Sequence, residues 1–351
     1  MPSARHSSAR RRASSDVIDF RYHLVSLISV FVALAIGIVL GAGPLKEPIG
    51  ESLQSQVDSL RSDRDQLRTE LDQSKTDVSD LNEFIAATAP DLLKDRLPEV
   101  PVTLVRAADT NADAVNAVRD RLSEAGASVN DGGELSADAF DPKGAEDLLD
   151  TLRSIDPNLP DDDATALTTA LAAAVSAGGV ADEEAASEAP TGDATEAPAA
   201  PEGGEGTRYD QKQSEDVLQA FGAAGRLNGG SYAAAEVIVL IAPPVPEAQA
   251  GRSDAGATEA PRPEANAYSA FATDLDKATP TVVAGTTAGA ESGLVGYVRE
   301  NDIGVSSVDS IELGAGPVIN ALTVAALHDD TSEGHYGFAA NADAIMPGAE
   351  K

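Results

Sequence analysis

Cysteine and tryptophan are absent from the 351 residues, methionine occurs twice and histidine four times. Without cysteine the chain has no disulfide, no thiolate metal ligand, no cysteine nucleophile and no acylated lipoprotein cysteine. Aromatic residues are scarce as well, 7 Phe and 6 Tyr, so a core must be built from Ala, Val, Leu and Ile, which the 42% hydrophobic content can supply. Positive charge is also short, with 25 Lys+Arg against 58 Asp+Glu for a formal net charge of −33. Affinity for nucleic acid comes from counterions released by a basic surface, so nucleic acid is not an expected partner. The length admits about two ordinary domains.

The first 22 residues break the acidic pattern. Arg5, Arg10, Arg11, Arg12 and Arg21 stand against Asp16 and Asp19, a net of +3. An uncharged run of 20 residues follows, from Leu24 to Gly43. At about 1.5 Å per residue this crosses the roughly 30 Å hydrocarbon layer. The positive-inside rule then places residues 1–22 in the cytoplasm as a basic tail, 23–43 in the membrane, and the rest outside. A cleaved signal peptide is the competing reading, with Gly41 and Gly43 as small residues before the cut, though Pro44 would follow it. A buried core helix also fits the apolarity, but such helices rarely run this far without a polar face. Arg21, Tyr22 and His23 fall at the membrane interface, where they suit lipid headgroup contact; a metal or gating role is the alternative.

Beyond Pro44 and Pro48 the apolar period changes. Positions 53, 57, 60, 64, 67, 71, 74, 78, 81 and 85 read Leu, Val, Leu, Arg, Leu, Leu, Ser, Val, Leu, Ile in alternating steps of four and three. That is the seam of a coiled coil over 50–89, interrupted by Arg64 and Ser74 and reaching about 50 Å as a helix. It predicts a homo-oligomer, against the alternative of an amphipathic helix packed on its own domain. Pro90 and Pro98 are expected to end it.

Residues 98–351 read as an extracytoplasmic α/β domain. Strands are expected at 100–105, 236–242, 281–284 and 305–308, and helices at 112–125, 145–154, 164–177, 213–224, 265–277, 289–300 and 317–327. Asn111 or Asp109 is the expected cap of the first of these helices. Strands separated by helices imply βαβ units and a mainly parallel sheet of Rossmann-like or flavodoxin-like type. Two segments stand outside it. Residues 178–206 carry eight acidic and no basic residues among Ala, Gly, Pro, Ser and Thr, and residues 243–263 hold five prolines. Both are expected to be disordered insertions, because they hold too little apolar surface to offset their ordering entropy.

Motifs that carry chemistry are few. The loop Gly285-Thr286-Thr287-Ala288-Gly289 lacks the G-x-G-x-x-G spacing, and Gly314-Ala315-Gly316 is followed by Pro317, so both read as strand-to-helix turns. Asp109, Asn111, Asp113 and Asp120 fall at calcium-loop positions, but Ala114 replaces the required glycine, and helix capping explains them better. There is no Walker A sequence, no G-x-S-x-G and no H-E-x-x-H. Of the histidines His6, His23, His328 and His335, the last two are the candidate metal ligands of the outer domain, with Met346 the only thioether beyond Met1. No catalytic residue and no cofactor is assigned, and the chain is not read as an enzyme.

The run Asp19-Phe20-Arg21-Tyr22-His23-Leu24-Val25-Ser26-Leu27, continuing into Ala33-Leu34-Ala35-Ile36-Gly37-Ile38-Val39-Leu40-Gly41, closely resembles the start of the actinobacterial copper transporter (MctB-like) family. Gly334-His335-Tyr336-Gly337, followed by Ala342-Asp343-Ala344-Ile345-Met346-Pro347, resembles that family's ending. The resemblance implies a role in limiting intracellular copper, with copper as the transported ion and an outer-membrane or pore-forming location. Residue patterns alone leave two other functions open. One is an envelope or division scaffold acting through the coiled coil. The other is an extracytoplasmic ligand-binding domain or enzyme using the sheet.

Overall fold

The computed structural model describes residues 16–42, 47–176, 208–230, 233, 235–245, 263–329 and 333–349. His6, the acidic segment 178–206 and residues 246–262 of the Pro-rich segment lie outside the described residues. The chain divides into two units, Met1–Val78 and Ser79–Lys351.

The first unit is helical. Helix α1, Asp16–Ala42, contains a 22-residue apolar stretch, Phe20–Gly41, with a mean hydropathy of 2.8 and none of it buried by the protein. A helix that is apolar on every side has its solvent in lipid rather than in water. Helix α2, Glu47–Leu93, begins in this unit and ends in the second. It was expected to stop at Pro90, yet it runs three residues past it, with Lys94 N donating to Pro90 O at 3.0 Å. Proline removes a single donor, and here it sits in the last turn, where packing compensates: Ala89 and Leu93 are fully buried.

The second unit is a mixed α/β domain around a seven-stranded sheet. Strands β1 (Pro101–Arg106), β2 (Ser128–Leu135), β3 (Leu227–Asn228), β4 (Val237–Ile241), β5 (Thr281–Ala284), β6 (Ser306–Val308) and β7 (His335–Tyr336) lie in the order β3-β2-β1-β4-β5-β6-β7. Every neighbouring pair is parallel except β2 with β3. Alternation along β4 shows how helices cover both faces. Ile238 and Leu240 face one core with residues of α4 (Glu146–Ile155), α5 (Asp163–Ser176), α6 (Gln211–Ala223), α7 (Pro263–Asp276) and α9 (Leu294–Glu300). Val237, Val239 and Ile241 face the other, with α3 (Ala112–Glu124), α10 (Gly316–His328) and the end of α2. The buried aromatics concentrate on the first side, where Phe140 meets Tyr268 edge-on at 5.3 Å and Phe271 at 5.0 Å.

Local signals explain several boundaries. Asn111 caps α3 through Oδ1, accepting from Asp113 N at 2.8 Å and Ala114 N at 3.1 Å, so this acidic segment serves the helix. Asp210 and Gln213 form a reciprocal capping box on α6. The single helix expected over 289–300 is two: α8 (Thr287–Ser292) and α9 separate at an extended Gly293. The break lets the start of α9 lie against α8, where a Cβ on Gly296 would come within 2.5 Å of Ala290 O.

Candidate functional site

A dense polar network lies at the β6–β7 edge of the sheet. Arg299 lies in the last turn of α9, an otherwise apolar segment whose Leu294, Val295 and Val298 enter the core. Its guanidinium is thereby aimed at the end of β6. Nε donates to Ser307 Oγ at 2.9 Å, Nη1 to Asp309 Oδ2 and to Asn341 Oδ1, each at 2.9 Å, and Nη2 to Tyr336 O at 2.8 Å. Asp309 in turn accepts the backbone N–H groups of Phe338 at 2.8 Å and Ala339 at 3.2 Å, and the Ser310 hydroxyl. Burial pushes the Arg299 pKa down, while the Asp309 carboxylate opposes that shift.

His335 belongs to this same network. Its Nδ1 is 3.0 Å from Ser307 Oγ, and its backbone N–H donates to Asp343 Oδ2 at 3.0 Å. Burial holds its pKa below the ordinary value, against the opposing pull of Asp343. The segment Gly334-His335-Tyr336-Gly337 is thus the strap that β6, Arg299 and Asp309 fasten down. Gly337 has φ +134°, and a Cβ there would stand 2.3 Å from the Asp309 carboxylate. Charges and donors in this cluster are used on one another, so its chemistry is to fix the end of the chain.

His328 lies elsewhere. It closes α10, with Nδ1 3.1 Å from Glu236 Oε2 just ahead of β4. His335 is in β7, three strands away in the sheet order, or about 14 Å at the ordinary inter-strand spacing. The two candidate metal ligands therefore do not form one site. Among the described residues no three His, Cys, Asp or Glu side chains are grouped to hold a metal ion.

The loop after β5 is occupied by its own side chains and by those of the loop after β6. Thr286 Oγ1 caps α8 by accepting from Gly289 N at 3.1 Å, Glu312 Oε1 accepts from Thr287 N at 3.0 Å, and the Thr287 and Ser310 hydroxyls meet at 2.9 Å. The carboxylate of Glu312 thus already takes a backbone N–H at the start of α8. A second concavity, about 720 Å³, lies between the loop after β2 and the first turns of α5 and α7, with Asp138, Asp141, Asp162 and Tyr268 on its walls. Its loop is braced by Arg226, 3% exposed, which donates to the carbonyls of Asp138, Asp141 at 2.6 Å and Lys143 at 3.1 Å. The Ser136 hydroxyl holds the Asp138 carboxyl below its usual range.

Arg299, Asp309 and Arg226 escape the sequence reading. One signal was present: Arg299 is one of three basic residues between positions 263 and 351, and it ends an apolar helix. Such an arginine needs a buried carboxylate partner. Arg21, Tyr22 and His23 are in the second turn of α1, all exposed on the protein.

An apolar α1 of membrane-spanning length and a parallel α/β domain in one chain define the class: a membrane-associated α/β protein. Similarity to known proteins is more specific. The family model described as copper transport outer membrane protein, MctB, matches residues 17–347, and the chain belongs to that family. The copper transporters MctB of Mycobacterium bovis and Mycobacterium tuberculosis are 27% identical to it over 138 residues, which is 39% of this chain and 44% of theirs. The match thus covers less than half the length of these curated relatives.

Proposed function

We propose that this chain is a copper-handling protein of the cell envelope, in which copper is cargo rather than a resident cofactor. The observation that carries the reading is the family match over residues 17–347, which takes in α1, α2 and the α/β domain together. The names of the mycobacterial relatives support it. In this reading α1 is a retained anchor with residues 1–22 in the cytoplasm, as the five arginines ahead of the span favour. Arg21, Tyr22 and His23 then contact lipid headgroups, and the α/β domain stands outside the cytoplasmic membrane. The parallel strands β2-β1-β4-β5-β6 follow the flavodoxin-like order, which supports that finer description of the domain. The separation of His328 from His335 argues that copper handling does not use a chelate built from these two residues.

Copper accumulation in a deletion strain, with and without complementation by the full chain, tests the reading. Raised cell copper that the full chain reverses supports it; unchanged copper refutes it. A second reading, an envelope scaffold, is favoured by the uncovered apolar stripe on α2, where Leu60, Leu67 and Leu71 are each more than half exposed. Altered cell shape with unchanged copper in the same strain would favour the scaffold.

A further inference from the structure

We propose that α2 pairs with α2 of a second copy of this chain as a parallel, in-register, two-stranded coiled coil centred on residues 56–78. Among the described residues nothing covers the apolar stripe Val57, Leu60, Leu67, Leu71 and Val78, which has exposures of 41% to 68%. A stripe that recurs over three heptads, broken only at Arg64 and Ser74, is a contact surface awaiting an occupant. Three features of the pattern say which occupant.

The first is the identity of the seam residues. Steps of three and four place Val57, Arg64, Leu71 and Val78 at a positions and Leu60, Leu67 and Ser74 at d positions. Valine at two of the four a positions and leucine at two of the three d positions lean toward two strands, and a polar a position such as Arg64 fixes register at some cost in stability.

The second is charge. The g positions are Gln56, Asp63, Glu70 and Asp77, and the e positions are Arg61, Arg68 and Lys75. No g position is basic and no e position is acidic. In a parallel pair each g residue faces the e residue five positions on in the other copy, so Asp63 meets Arg68 of the second copy and Glu70 meets its Lys75. An antiparallel pair would set g against g and e against e, placing acids on acids and bases on bases. Acidic partners of other sequence would meet the same basic e row but would be repelled by the g row. Self-complementarity of both rows selects a second copy.

The third is attachment. A helix that follows a lipid-seeking α1 leaves the same face of the membrane in every copy, so two copies meet with their α2 helices pointing the same way. Helix pairing does not depend on copper handling: cross-linking reads helix contact, and the deletion strain reads copper.

The natural absence of cysteine makes the test direct. Single variants Leu60→Cys (d), Ser74→Cys (d) and Thr76→Cys (f) of the full chain are oxidised with diamide in native membranes. Cross-linking to twice the chain mass at both 60 and 74, but not at 76, is expected. An antiparallel pair would cross-link at no more than one of the two d positions, and equal cross-linking at 76 would show random collision; either result overturns the proposal. Adding Lys75→Glu to Ser74→Cys should lower the cross-linked fraction several-fold, and adding Glu70→Lys as well should restore it. Failure of the reciprocal change to restore it would overturn the assigned pairing. Light scattering of the detergent-solubilised chain should give two copies, and three or four would overturn the two-stranded assignment.

Discussion

The Arg299 guanidinium and the Asp309 carboxylate meet at 2.9 Å with side-chain exposures of 2% and 0%. Withdrawing both charges from water is costly, and their mutual attraction repays it only when the remaining donors and acceptors are also matched. Here they are: Ser307, Asn341 and the Tyr336 carbonyl complete the arginine, and two backbone N–H groups with Ser310 complete the aspartate. The pair joins α9, the end of β6 and the C-terminal segment.

Breaking that pair from one side leaves an uncompensated buried charge. Asp309→Asn is expected to lower the unfolding free energy of the full chain by about 3 kcal/mol. Urea titration in detergent measures this, and limited proteolysis should show the segment around residues 333–349 cut first. A loss below about 1 kcal/mol would mean that the pair contributes no more than a surface ion pair does.

Gly337 tests the same contact sterically. Gly337→Ala must place a methyl group where the Asp309 carboxylate stands, in a backbone conformation that L residues rarely adopt. Gly144, φ +73° with open space around its Cβ position, isolates the backbone part, about 1–2 kcal/mol. Gly337→Ala should therefore cost clearly more than Gly144→Ala in thermal unfolding. Combined with Asp309→Asn it should cost less than the sum, because both act on one network.

Particular residues show where sequence reasoning reaches and where it stops. EVIVLIA reads as a strand buried on both faces, and β4 is buried at all five positions. Asn111 reads as a cap and is one. SVNDGGEL reads as nothing, yet it is β2, because its charges are matched from outside the segment: Arg106 on β1 holds Asp131 at 3.0 Å and Glu134 at 3.2 Å. Gly132 lies where a Cβ would strike the Val105 and Thr103 side chains at 2.7 and 2.8 Å. Gly132 marks a close approach between strands. The two-residue β7 is invisible for a similar reason, since its strand character comes from pairing with Ser307 and Val308. A window along the chain records propensity, whereas these elements exist through partners distant in sequence.

Asp276 gives a pH prediction. Burial, with Glu333 adding to it, pushes its pKa up from 3.8 to about 6, against the Thr281 N–H that its Oδ1 accepts at 2.8 Å. An acid that binds its proton more tightly in the folded state makes stability fall as pH rises from 3.8 to about 6, and the deficit persists above that. Asp276→Asn keeps an Oδ1 acceptor and removes the charge. It should raise Tm relative to the parent at pH 7.5, and the difference should vanish near pH 4. A Tm gain of equal size at both pH values would show that charge is not the cause.

His335 and His328 supply the last prediction. An imidazole can ligate copper through a nitrogen with a free lone pair, and two such groups chelate only if they converge. His335 Nδ1 is engaged with Ser307, its burial disfavours the imidazolium, and His328 Nδ1 faces Glu236 across the sheet from it. Replacing both, His328→Asn with His335→Gln, should leave the copper affinity of the full chain unchanged in competition with a chromogenic Cu(I) chelator. A tenfold or greater loss would show that the chain rearranges to bring them together. His335→Gln should by itself lower stability by about 1 kcal/mol through the Ser307 contact. Because a histidine whose folded pKa lies below 6.5 loses stability as pH falls through 6.5, that difference should shrink on acidification. A copper ligand role would instead show as protection by added copper, present in the parent and lost in the double variant.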